Sequence, residues 1–129
     1  MIFNSLRINN YRAYYGECNF DFPIDGERNI SILYADNDVG KSCFFSAILF
    51  CLYGPKDSDD LKDLINVNAQ SEKCYHAAVS LFVENGSDKI EISRTIDLRG
   101  KLEATPSSKD FKCTLELIKN DVPLSSEED

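Results

Sequence analysis

NISILYADNDVGKSCFFSAILFCLY, residues 29–53, is the stretch on which the fold turns. Asn29 to Tyr34 is β-prone and apolar on both faces, as a strand buried in the middle of a sheet would be. Ala35 to Gly40 is a polar, glycine-containing loop. Ser42 to Tyr53 is too long for an ordinary strand and predicts a helix, which Gly54-Pro55 ends. That segment is apolar nearly all round, so it is expected to lie buried between layers.

Upstream, Ile2, Leu6 and Ile8 share one face with Asn4, and Phe3, Ser5 and Arg7 take the other, which is the period of a strand over 1–9. Cys18, Phe20 and Phe22 alternate with polar residues in a second short strand that Pro23 stops. Asn10 to Gly16 joins the two as an aromatic-rich turn. Downstream, Asp60 to Ile65 predicts one short helix. A meander follows: a strand over 76–84, a turn at Asn85-Gly86, a strand over 89–96 with Ile90, Ile92 and Ile96 on one face, a turn at Arg99-Gly100, and a last strand carrying Phe111, Cys113, Leu115 and Leu117. After a turn at Asn120-Asp121, Ser125 with Glu127, Glu128 and Asp129 has the pattern of a helix start. A chain that ends where a helix begins is expected to be truncated. There is no internal repeat.

The loop between the buried strand and the buried helix carries the chemistry. Ala35 to Ser42, ADNDVGKS, follows the phosphate-binding pattern G-x-x-x-x-G-K-[ST] in its strand–loop–helix setting. A polyphosphate leaving water needs fixed donors. Backbone N–H groups turned inward supply them, and the following helix N-terminus adds partial positive charge. Gly40 permits close backbone approach, Lys41 brings an ammonium to the β- and γ-phosphates, and Ser42 offers a hydroxyl to Mg²⁺. Two residues depart from the ideal. Ala35 stands where the first Gly is expected, at a cost of about 1–2 kcal/mol if φ must be positive. Asp38 facing a phosphate charge at ~6 Å would be repelled by roughly 3 kcal/mol at an effective ε of ~20, and pointing to solvent avoids this.

Composition narrows the alternatives. With 129 residues, 43% hydrophobic and 28% charged, the chain is an ordinary globular sequence with room for one core. Net charge −8 argues against a nucleic-acid module acting through this surface alone. No apolar run approaches the roughly 20 residues of a membrane span, and Met1 to Ser5 lacks the features of a signal peptide. The five cysteines, Cys18, Cys43, Cys51, Cys74 and Cys113, show no C-x-x-C pair. They are expected as buried free thiols in a reducing cytosol. His76 is the only histidine, which leaves little to build a metal cluster from.

These residues resemble a known family, the N-terminal lobe of the ATPase head of SMC-like and RecF/RecN-like ABC ATPases. That group includes the ATPase of the double-strand-break repair complex and the DNA-sulfur-modification protein DndD. Leu6-Arg7-Ile8-Asn9-Asn10-Tyr11-Arg12 is similar to the family's L-x-I-x-N-F-R, and Tyr14-Tyr15-Gly16-Glu17 looks DndD-like. Residues 29–53 match its strand, nucleotide loop and helix. Leu64-Ile65-Asn66 resembles its L-I-N segment, and Ile92-Ser93-Arg94 its y-x-I-x-R strand.

The resemblance implies an α+β fold of the P-loop NTPase kind, with a mixed β-sheet around one buried helix and an antiparallel meander. A nucleotide-binding core would occupy 1–55 and the meander 76–122. It implies ATP and Mg²⁺ as cofactors, with Arg12, Asn37, Asp38, Val39, Gly40, Lys41, Ser42 and Cys43 at the nucleotide and Ser42 on the metal. Arg12 either lies close to the bound nucleotide, as the matching arginine does in relatives, or is a solvated turn residue, and Arg94 is either functional or a strand ion-pair partner. No catalytic residue is assigned, because the family's Walker B acids and signature lie beyond this stretch. Hydrolysis would need a C-terminal lobe and a second head in a dimer, with DNA engaged through the complete, cytoplasmic protein. An exposed sheet edge or apolar face is expected where that lobe belongs. The alternative is a degenerate nucleotide-binding or interaction module without ATPase activity. The long meander speaks against a stand-alone P-loop kinase or GTPase.

Overall fold

A computed structural model of the chain describes residues 2–22, 38–56, 60–99 and 106–128, with backbone alone at positions 2, 38–41, 108 and 124–128. Six strands form one sheet: β1 (Ile2–Asn9), β2 (Glu17–Asp21), β3 (Ala77–Asn85), β4 (Asp88–Leu98), β5 (Phe111–Lys119) and β6 (Val122–Glu128). Their order is β2-β1-β3-β4-β5-β6, and every pairing is antiparallel. The expected strand over 29–34, which would make the sheet mixed, lies outside the described residues. Helix α1 (Asp38–Tyr53) lies across one face, and a short α2 (Val67–Ser71) precedes β3.

Period-2 alternation decides which face α1 covers. In β3 the residues Ala77, Val79, Leu81 and Val83 are buried while their neighbours are half-buried. Cross-strand pairing carries this face outward in rows. Leu6 pairs with Leu81 and Leu81 with Ile92; Ile8 pairs with Val79, and Val79 with Arg94. Phe44, Ala47, Phe50 and Cys51 of α1 close over these rows. Each large side chain so buried contributes about 1.5–3 kcal/mol. Asn4, the polar residue among the apolar positions of β1, sits where the β1–β3 register shifts, between Phe3 and Ser5. The shift places Phe3 opposite Val83, on the α1 face, rather than on the outer face its alternation predicts.

Three expectations are corrected. The helix starts at Asp38 rather than Ser42, so the last residues of the expected loop form its first turn. It is not buried between layers within the described residues: Phe45, Leu49 and Tyr53 are 61%, 52% and 78% exposed. The third concerns Ser125 to Glu128, which extend β6 against β5 instead of starting a helix. Asn120 and Asp121 both hold positive φ, 52° and 66°, and this two-residue turn folds the chain back onto β5. Ladder hydrogen bonds along β5 then outweigh the local helix-start preference. The β6 strand tolerates Pro123 because it lies at the edge of the described sheet. The expected short helix at 60–65 is a 3₁₀ turn, Leu61–Leu64, and α2 was not anticipated.

The Asn120 turn is also tied to β4. Lys89 N–H donates to Asn120 Oδ1 at 2.9 Å, and Asn120 Nδ2 donates to Asp88 Oδ1 at 3.1 Å. That amide, with Lys119 Nζ 3.5 Å from Asp88 Oδ2, holds the Asp88 carboxyl below its ordinary range. A two-residue turn of this type prefers Gly second, because Gly has no steric penalty at positive φ. Asp121→Gly is therefore expected to stabilise the protein by about 0.5–1 kcal/mol, read as a rise in melting temperature. A helix over 125–129 would leave that substitution without benefit.

Candidate functional site

The site begins with how α1 is seated. Gly54, at φ +81°, ends the helix by donating its N–H to Phe50 O at 2.8 Å, and Pro55 forbids continuation. The last turn contains no basic residue. Arg94 of β4 fills that role from the sheet: it is buried, and its Nε donates to Cys51 O at 3.0 Å. A guanidinium at the negative end of the helix is favourable. The alternation that put Ile90, Ile92 and Ile96 on the α1 face puts Arg94 there too, so it is a helix anchor. Cys51 Sγ in turn donates to Ile92 O at 3.1 Å. Burial pushes its thiol up to about 12, against the opposing pull of Arg94.

At the other wall stands the β1–β2 loop. Asn10 and Arg12 both adopt left-handed backbone, φ 52° and 49°, and Gly16 a third such conformation at 75°. Asn10 closes the loop on itself: its N–H donates to Gly16 O at 3.0 Å and its Oδ1 accepts Gly16 N–H at 2.8 Å. Tyr11 turns inward, stacks on Phe50 with centroids 5.3 Å apart, and shares a 2.9 Å hydrogen bond with Ser46 Oγ. Arg12 stays exposed, its guanidinium 6.0 Å from the Tyr11 ring centroid. Tyr14 packs edge-on to Phe20, and burial raises its hydroxyl pKa. Tyr15 donates to the Glu72 carboxylate, which raises the Tyr15 pKa.

Between loop and helix runs a groove of about 520 Å³. Tyr11 and Arg12 form one wall, Ser42, Phe45, Leu49 and Tyr53 the helix side, and Lys56 one end. Of the residues singled out in the sequence, Arg12 and Ser42 are thus brought together. Asp38, Val39, Gly40 and Lys41 form the first turn of α1. The first N–H groups of a helix have no partner inside it, so this turn presents backbone donors where the phosphate loop is expected. The donor set fits a polyphosphate with its metal: helix-terminal amides, a hydroxyl at Ser42 and a guanidinium at Arg12. Cys43 is buried, and its amide, past the first turn of α1, is committed to the helix ladder. Asn37 and Ala35 lie outside the described residues.

The sequence reading missed Tyr11 as a packing residue, the open side of α1, and Asn66. The last had a signal: an Asn immediately before Val67-Asn68-Ala69 has the pattern of an N-cap. The cysteines also divide. All five are free, but Cys74 is exposed and Cys18 half-buried, while Cys43, Cys51 and Cys113 are buried. His76 Nδ1 lies 3.7 Å from Asp97 Oδ2 on the surface. Among the described residues no three His, Cys, Asp or Glu side chains converge as a metal site, and no helix is long and apolar enough to cross a membrane.

With this geometry in place, comparison with known proteins defines the class. Residues 5–125 match the model of the AAA domain, and the chain belongs to that family. It is a nucleotide-binding, ATPase-like module of a family that generally uses ATP and Mg²⁺. It is 31% identical over 96 residues to an uncharacterized protein of Acanthamoeba polyphaga mimivirus. That match takes in 74% of this chain but spans only 7% of the viral protein's length.

The seating of α1 is testable through its anchor. Arg94→Met removes the donor and leaves a carbonyl of the last turn without it, so stability to denaturant should fall by about 2–3 kcal/mol. A midpoint unchanged from wild type would mean that the guanidinium contributes nothing to holding the helix.

Proposed function

We propose that the chain is the ATP-binding half of an SMC/DndD-like ATPase head. In this reading the complete protein acts in DNA repair, DNA sulfur modification or defence against foreign DNA, in the cytoplasm. The observation that carries it is the shared groove. Arg12 from the β1–β2 loop and Ser42 from α1 face one cavity beside a helix first turn that contains Gly40 and Lys41, within an AAA domain.

The residues divide the work. Amides of the first helical turn, Asp38 to Gly40, would orient the phosphates, Lys41 and Arg12 would balance their charge, and Ser42 would hold Mg²⁺ on its hydroxyl. ATP supplies a γ-phosphoryl whose transfer to water releases the energy for the DNA transaction. In our reading hydrolysis is completed by a C-terminal lobe and a second head. The open side of α1 supports the first of these partners. Phe45, Leu49 and Tyr53 form a stripe at helical spacing that a soluble module would otherwise leave in water. A second reading, a module that holds a partner without turning over ATP, is favoured by Asp38. An acidic residue in a first turn complements the helix dipole that a phosphate would otherwise use.

Titration of the full chain with MgATP distinguishes the two. Lys41→Ala and Arg12→Ala are each expected to weaken binding about tenfold or more, the loss of one charge-assisted contact. Affinity unaltered by Lys41→Ala would remove the nucleotide role. The lobe proposal has its own check. Leu49→Glu in the complete protein, where that lobe is present, should leave the melting temperature within about 1–2 °C, as an exposed substitution does, yet abolish ATP turnover. Turnover at the wild-type rate would exclude docking on this side of the helix.

A further inference from the structure

Arg12 is an exposed residue in a strained backbone conformation, and something must hold it there. The segment 60–71 does so. Arg12 N–H donates to Leu64 O at 2.8 Å, and Asn66 N–H donates to Asn10 O at 2.8 Å. Tyr11 and Ile65 form a bridge between these two bonds. Asn66 then adds its side chain. It is 5% exposed, its Nδ2 donates to Arg12 O at 2.8 Å, and its Oδ1 accepts from Asn68 and Ala69 N–H at 2.9 and 3.1 Å. Two N–H donors on one atom and a carbonyl on the other leave only one orientation of the amide.

The segment is itself rigidly tied. Asp60 Oδ1 accepts Lys62 N–H at 3.0 Å, and Gln70 Nε2 donates to both Lys62 O and Ile65 O at 2.9 Å. Leu64 and Ile65 are buried in the core. A fixed buttress therefore meets the loop at Asn10, Tyr11 and Arg12, and Asn66 adds a side-chain donor to the Arg12 carbonyl.

We propose that Asn66 is the positioning residue of the nucleotide groove: by donating to the Arg12 carbonyl it holds Arg12 in the left-handed conformation that places its guanidinium beside α1, and so sets triphosphate affinity without touching the nucleotide. This rests on the reading of the groove as an ATP site.

Because the two ends of the amide do different work, one substitution separates them. Asn66→Asp keeps the acceptor that caps α2 and replaces the donor with an oxygen facing the Arg12 carbonyl. Asn66→Ala removes both. MgATP affinity of the full chain is measured for these variants, for Arg12→Ala, for Asn66→Asp combined with Arg12→Ala, and for Lys41→Ala. Asn66→Asp is expected to weaken MgATP binding about tenfold, as Arg12→Ala does, and the pair no further than either alone. Hydrogen exchange at the Arg12 amide should speed up in Asn66→Asp while α2 amides stay protected, which reports the positioning independently of nucleotide and of whether Asn66→Ala folds. Wild-type affinity in Asn66→Asp, or additive losses in the pair, would reduce Asn66 to a helix cap and overturn the proposal. Weakened binding in Lys41→Ala with none in Arg12→Ala would overturn this inference and spare the nucleotide reading. Unchanged binding in Lys41→Ala would remove both.

Discussion

The structure depends on how one helix meets one sheet. Helix α1 is apolar on nearly all sides, yet the described sheet covers only one of them. Phe44, Ala47, Phe50 and Cys51 pack onto the rows led by Leu6, Ile8, Val79 and Leu81. Arg94 and Gly54 terminate the helix on the β4 side, and Tyr11 meets it through Phe50 and Ser46. Dispersion and burial fix the face that points inward. What remains outside, Phe45, Leu49 and Tyr53, follows from the same geometry.

The same seating builds the groove. The helix is held near its C-terminal end by a buried guanidinium and the Tyr11–Phe50 stack, and in its middle by the Tyr11–Ser46 hydrogen bond, which sets it against the β1–β2 loop. That loop departs from regular backbone at Asn10, Arg12 and Gly16. It keeps that shape because Asn10 satisfies its own loop and because Leu64 and Asn66 satisfy the rest. The chain belongs to the AAA domain family, and in the proposed reading the groove takes a polyphosphate. A polyphosphate needs aligned donors whose cost of ordering has already been met in folding, and left-handed turns buttressed by side chains supply that kind of order.

Much of this was legible beforehand. Period-2 alternation located β1 to β5, and Gly54-Pro55 located the end of α1. The Gly40-Lys41-Ser42 run marked the chemistry. Legibility failed where long-range pairing outweighed local preference. Ser125 to Glu128 has the pattern of a helix start but pairs with β5, because a turn with two positive φ values returns the chain there. Asn4, a polar residue on an otherwise apolar face, marks the register shift of β1. Arg94 was read on its strand alone, and its partner is a helix carbonyl 43 residues away.

From the order of residues alone came the strands, the helix and the residue types that suit a triphosphate, since these rest on periodicity and on local backbone chemistry, while resemblance to a known family supplied the class. Only the tertiary structure decided that Arg12 and Ser42 share a groove, that Asn66 holds Arg12, and that one side of α1 stays open. Those depend on hydrogen bonds and packing between segments separated in sequence by 28 to 54 residues, and no local pattern specifies which distant donor will meet which acceptor.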